Sequence, residues 1–172
     1  MDGDRLHQHT FGGLTHVDYN VPGASSYEEY FRTTQRLTGA YDTLTQAYRR
    51  MVFNVVAVNQ DDHVKNLSFH MDRNGEWSLT PASDITYARG GGYTRLHQMR
   101  VRDKRQGITE EDLVAVGEEF GVKNPRRIVQ DVRNAVSNWE QFAAQYDVPD
   151  HAVRHVRGEL DDRAAVLDSA SG

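Results

Sequence analysis

Three oxygen-bearing side chains, Asp61, Asn66 and Asp84, stand at intervals suited to phosphoryl transfer. Asp61 and Asn66 are five apart in the polar run Asn59-Gln60-Asp61-Asp62-His63-Val64-Lys65-Asn66. A protein-kinase catalytic loop spaces its carboxylate base and its magnesium-ligating amide in this way. Asp84 follows eighteen residues after Asn66, in Thr80-Pro81-Ala82-Ser83-Asp84. The reaction needs little covalent work from a protein: a carboxylate to orient the attacking hydroxyl, oxygen ligands for a hard cation, and positive charge near the phosphate. Asp61 would take the hydroxyl proton, Asn66 and Asp84 would hold the cation, and Lys65 would offset charge on the transferred group. His63 could touch phosphate or fix the loop through a ring hydrogen bond. Asp62 stays ambiguous, because neighbouring carboxylates point apart in extended chain and only one faces the site. Taken alone, Asp-Asp-His is more often an ordinary polar turn. An apolar helix, a polar octet, a hairpin and a second aspartate, in that order, form a far more specific set.

The elements around these residues follow from periodicity. Ser25 and Ser26 precede Glu28 and Glu29 at capping-box spacing, Tyr27, Tyr30, Phe31 and Leu37 recur at helical steps, and Gly39 stops a helix predicted over about 26–38. Tyr41, Leu44, Tyr48, Met51, Val52, Val55 and Val58 predict a second, buried helix that runs directly into Asn59. Leu67, Phe69 and Met71 then alternate with Ser68, His70 and Asp72, and Asn74-Gly75 turns the chain into Trp77, Leu79 and Pro81. That hairpin would carry Asp84 back towards Asn66, since antiparallel pairing returns the second strand to where the first began. Gly90-Gly91-Gly92 marks a loop. Thr109 with Glu110, Glu111 and Asp112 opens a helix ended by Gly121. Asn124-Pro125 opens another, with Ile128, Val132, Ala135, Val136, Trp139, Phe142 and Tyr146 as its buried stripe, and Pro149 a last one with Val153, Val156, Leu160 and Leu167. The expected fold is mainly α, one helical domain with a small β-hairpin.

With 172 residues, 38% apolar and 26% charged, the chain suits one soluble domain. It has no apolar run of membrane-spanning length and no signal-peptide pattern, so a cytoplasmic location is expected. The absence of cysteine excludes disulfides and thiolate metal sites. A net charge of −5 argues against strong direct nucleic-acid binding. Arg95, Arg100, Arg102, Lys104 and Arg105 crowd one stretch, best read as a solvated basic loop with phosphate or partner binding as the alternative. His7, His9 and His16 read as scattered surface imidazoles.

Asn59 to Asn66, followed by Leu67-Ser68-Phe69 and by Leu79-Thr80-Pro81-Ala82-Ser83-Asp84, resembles the HipA-like serine/threonine protein kinases of bacterial toxin–antitoxin modules. The likeness covers their C-terminal catalytic lobe and extends from Thr10-Phe11-Gly12-Gly13-Leu14 to the last helix. It implies a kinase-like C-lobe over 1–172, with 1–24 a loop segment, 25–168 the core and 169–172 a frayed tail. It also implies ATP and Mg2+ as cofactors: Asp61 is the base, His63, Val64, Lys65 and Asn66 line the nucleotide phosphates, and Asp84 binds magnesium. Ser83, also facing the nucleotide, stands where the family usually has tyrosine, so one aromatic contact is lost. The implied partners are a protein substrate, such as an aminoacyl-tRNA synthetase, and a helix-turn-helix antitoxin. The first lysine is Lys65, and no glycine-rich phosphate loop precedes it. A separate or missing N-lobe is therefore expected to complete the cleft. Two other readings stay open: a non-catalytic, pseudokinase-like interaction module, and a metal-dependent phosphoesterase built on Asp61, Asp62, His63 and Asp84.

Overall fold

The computed structural model describes residues 6–169. The chain opens with strand β1 (His7–Thr10) and a short helix α1 (Phe11–Thr15), whose first turn is capped by the Thr10 hydroxyl accepting from the Gly13 amide. Helix α2 (Tyr27–Thr38) carries the expected reciprocal cap between Ser26 and Glu29 and ends at Gly39, whose φ of 59° is one that glycine adopts without strain. Helix α3 (Tyr41–Val56) is the central element and packs against α2. Strands β2 (Ser68–Met71) and β3 (Trp77–Leu79) form the hairpin, with Phe69 opposite Leu79. Its turn is tied by the Asp72 carboxylate, which accepts from the Asn74 and Glu76 amides and is thereby held below the usual carboxylate range. Four helices follow: α4 (Glu110–Glu119), α5 (Pro125–Ser137), α6 (Trp139–Gln145) and α7 (Asp150–Leu167).

The fold is mainly α with one small sheet. Its core is aromatic: Phe11, Tyr27, Tyr30, Phe31, Tyr48 and Phe69 are fully buried around Met51, Val52 and Val55 of α3. Phe31 touches Tyr27, Tyr30, Tyr48 and Phe120 ring to ring, at centroid separations of 5.3 to 6.3 Å. Tyr48 donates to the Leu113 carbonyl at 2.9 Å, so its hydroxyl is satisfied inside the core. Burial pushes its ionisation far above the normal tyrosine range.

Two sequence expectations are corrected. The segment before residue 25, expected to be loop, contains β1 and α1, and β1 pairs antiparallel with β2 to make the sheet three-stranded. A four-residue, mostly exposed edge strand leaves no alternation to read. The long helix expected over 124–146 is two helices, α5 and α6, separated at Asn138. Phe142 and Tyr146 are consequently 51% and 78% exposed, outside any buried stripe. The expected fraying of both ends falls mostly on residues 1–5 and 170–172, outside the described residues.

Much of the basic stretch is neutralised from within. Lys104 Nζ reaches both Asp112 oxygens at 3.0 and 2.8 Å, Arg102 lies 3.7 Å from the same carboxylate, and Arg100 lies 3.7 Å from Asp103. Burial alone would raise Asp112, but the Lys104 ion pair and the Thr109 donors outweigh it and hold the carboxyl below its ordinary value. His7, His9 and His16 are exposed, with His7 edge-on to Trp77. No described helix is long and apolar enough to cross a membrane.

Candidate active site

The polar loop leaves α3 at a sharp corner. Val58 has φ 55°, a left-handed conformation that costs a β-branched residue about 1–3 kcal/mol. It is nevertheless buried, packed with Val156 and Leu160 of α7. Two backbone hydrogen bonds impose the corner: the Ala88 amide donates to the Val58 carbonyl at 3.1 Å, and the Gln60 amide to the Ala88 carbonyl at 2.8 Å. The chain just beyond Asp84 is thus stitched to the start of the loop.

A buried polar chain does the remaining positioning. Asp62, 1% exposed, accepts from the Tyr27 hydroxyl at 2.9 Å and the Gln98 amide at 2.7 Å, and its Oδ2 lies 3.0 Å from His97 Nδ1. Asn54 donates to the same Tyr27 oxygen at 2.9 Å, and Asn59 donates to Asn54 Oδ1 and to the Asp84 carbonyl, both at 2.9 Å. One connected path therefore runs from His97 through Asp62, Tyr27, Asn54 and Asn59 to Asp84. Burial, reinforced by the adjacent Asp62 charge, raises Tyr27 well above the usual phenol range, so it stays a donor. This settles Asp62: it faces inward and organises the fold.

Asp61 turns the other way, its side chain 49% exposed and its Oδ1 3.9 Å from His63 Nε2. The Asn66 side-chain amide donates to the Asp61 carbonyl at 2.9 Å, and the Asn66 backbone amide to the His63 carbonyl at 3.0 Å. Those bonds close the loop and occupy the nitrogen end of the Asn66 side chain, leaving its oxygen for another partner. Asn66, Ser83 and Asp84 line one small cleft together with Arg50, Asn54, Asn59 and Asp62. The separation of eighteen residues thus closes up as the hairpin predicts. Asp84 has φ 52°, a left-handed turn that aspartate tolerates better than most residues, held by the Asn59 bond to its carbonyl.

The other expected site residues divide. Lys65 is exposed, and its ammonium sits over the Tyr19 ring, 3.1 Å from the centroid. His63 meets the same ring edge-on at 6.0 Å. Val64 is 4% exposed and packs in the core, so its side chain cannot contact a nucleotide. Sequence reasoning missed Tyr19, His97 and Gln98 altogether, and it took Tyr27 for apolar core. Tyr27 does have a helical-stripe signature, which says nothing about its hydroxyl.

The N-terminal segment clamps the loop from below. The Phe11 amide donates to the Leu67 carbonyl at 2.7 Å and the Gly12 amide to the Val64 carbonyl at 3.1 Å. A Cβ on Gly12 would lie 2.6 Å from Val64 Cγ2. Gly12→Ala is therefore expected to displace Val64 and cost about 1–3 kcal/mol of stability, read by urea denaturation. An unchanged unfolding midpoint would show that the loop does not need this close approach.

A helical domain whose oxygen-rich loop is closed by a hairpin matches one known class. The chain belongs to the HipA-like C-terminal domain family, whose model matches residues 1–139. Its structure is similar to a chain in the complex of the Shewanella oneidensis MR-1 toxin–antitoxin system HipA, HipB and its operator DNA, with a TM-score of 0.71 and 18% sequence identity. That match covers 99% of this chain and 49% of the other, so this chain spans about half the length of its structural relative. At that identity the likeness concerns the fold. No curated protein matches the chain.

Proposed function

We propose that this chain is the catalytic lobe of a HipA-like serine/threonine protein kinase, completed by a separate or preceding N-lobe, and that it moves the ATP γ-phosphate to a protein hydroxyl. The observation that carries this reading is the shared cleft of Asn66 and Asp84, with Asn66 also bonded to the backbone of Asp61. A hard cation fits the donor set. Asn66 and Asp84, both oxygen-bearing, line the cleft together with Asn59, whose buried Oδ1 has no hydrogen-bond partner among the described residues. Magnesium would be held by Asn66 and Asp84. When bound, magnesium–ATP supplies the phosphoryl group and neutralises its charge.

The protein's own work is positional. Asp61, half-exposed on the closed loop, orients the acceptor hydroxyl and takes its proton. Asn66 fixes the loop through the Asp61 carbonyl, and Asn59 fixes the backbone of Asp84. His63 and Lys65 rest on the Tyr19 ring and would meet the phosphates, and Ser83 would contribute a hydroxyl where an aromatic ring is expected in relatives. The partner expected for this lobe is a helix-turn-helix antitoxin; the related toxin is seen in complex with HipB and operator DNA.

The test adds a HipA-type N-lobe polypeptide, ATP and Mg2+ and follows phosphate transfer to protein. Transfer is expected to appear, and Asp84→Ala to remove it by at least about 100-fold. Undiminished transfer in Asp84→Ala would overturn the metal assignment, and no transfer with any N-lobe would overturn the kinase reading. A second reading is a non-catalytic interaction module that keeps the shape of the lobe. Stable antitoxin association without calorimetric binding of magnesium–ATP would select it. The phosphoesterase reading loses Asp62, whose oxygens are engaged by Tyr27, His97 and Gln98.

A further inference from the structure

Arg95 and Arg105 differ from the rest of the basic stretch. Arg100, Arg102 and Lys104 each have a carboxylate within 4 Å, whereas among the described residues neither Arg95 nor Arg105 does. Arg105 spends its Nε on the His97 carbonyl at 2.6 Å, which fixes the stem and leaves the rest of the guanidinium without an acid. Both side chains line one shallow, open pocket of about 340 Å³ with Pro22, Tyr93 and Leu96. Tyr93 is 64% exposed, a large aromatic ring presented to solvent beside two uncompensated cations.

The pocket is also hydrogen-bonded to the residues on either side of the candidate base, Gln60 and Asp62. In the amide orientation that satisfies both its ends, Gln60 donates to the carbonyls of Thr94 at 2.8 Å and Arg95 at 3.2 Å. The Gln98 side chain donates to the carbonyls of Tyr93 and Leu96, while its backbone amide donates to Asp62. Residues 93–98 and 60–62 therefore form one hydrogen-bonded unit, with Asp61 at its exposed edge.

We propose that Arg95 and Arg105 form a subsite for an acidic side chain flanking the acceptor hydroxyl, so that the protein selects peptides with a carboxylate or phosphate a few residues from the modified serine or threonine. This rests on the kinase reading and adds its substrate class. Arginine suits the role because its planar donors engage carboxylate and phosphate in pairs, and Tyr93 and Leu96 give the intervening peptide an apolar floor. Uncompensated cations beside an exposed ring also attract an acidic segment from a distance, without a deep pocket.

The experiment measures anisotropy of labelled serine-centred peptides titrated with the 172-residue chain, without ATP. One peptide carries glutamate on its flanks, one phosphoserine and one glutamine. The acidic peptides are expected to bind roughly tenfold more tightly than the glutamine peptide, with the preference fading in high salt. Arg95→Glu, at an exposed position, is expected to abolish the preference and to favour a lysine-flanked peptide instead. A preference for phosphoserine alone would identify a phosphorylated substrate, and equal preference a generally acidic one. Equal binding of acidic and glutamine peptides, or an acidic preference untouched by Arg95→Glu, would overturn the subsite. Transfer without acidic preference would sink this proposal and leave the kinase standing; acidic preference without transfer would overturn the kinase reading and, with it, the placement of the acid beside an acceptor hydroxyl.

Discussion

Asp62→Ala is expected to lower the free energy of unfolding by about 3–5 kcal/mol, a large share of what holds a domain of this size together. The carboxylate is buried and accepts from Tyr27 and the Gln98 amide beside His97. Its removal leaves those buried polar groups without the partner they share. Asp62→Asn is expected to be costly as well, because an amide presents donors towards groups that already donate. Chemical denaturation of both variants checks this, with Tyr27→Phe as a control that removes one donor and leaves the carboxylate. A loss below 1 kcal/mol in Asp62→Ala would show that the buried chain does not hold the loop in place.

One residue earlier the expectation inverts. Asp61→Asn should leave stability within about 0.5 kcal/mol of the parent, because the side chain is half-exposed and no described residue bonds its oxygens more closely than His63 at 3.9 Å. In the lobe completed by its N-terminal partner, phosphate transfer should fall by about 100- to 10,000-fold, the usual worth of a positioned proton acceptor. The loss should fall on kcat, with the KM for ATP little changed, since in the proposed mechanism Asp61 addresses the hydroxyl and leaves the nucleotide to other groups. Full activity in this variant would remove Asp61 from the chemistry while leaving the cation site to stand on Asn66 and Asp84. The two neighbours thus form an internal control, one expected to carry the fold and the other the proposed reaction.

How much of this was legible depends on the kind of signal each feature leaves. Helix α2 announces itself through Ser26, Glu29 and Gly39, and the hairpin through alternation about Asn74-Gly75, because caps and turns are local constraints with local residue preferences. The approach of Asp84 to Asn66 follows from the hairpin, since antiparallel geometry converts a linear interval into nearness. Strand β1 was hidden, being short and exposed, and so was the break at Asn138, which carries neither glycine nor proline. The inward turn of Asp62 was equally invisible. It depends on Tyr27, thirty-five residues earlier, and on His97 and Gln98, about as far on, and no local pattern marks such partners. Val64 illustrates the opposite case: a residue inside a candidate motif can still belong to the core.

The corner at Val58 has a mechanical consequence. A valine held left-handed has no comfortable alternative nearby, so the bonds from residues 60 and 88 act as a clasp. The clasp lies four residues from Asp84, and Val58 packs against Val156 and Leu160. Helix α7, distant in sequence from every catalytic candidate, thus buttresses the corner from which the polar loop departs.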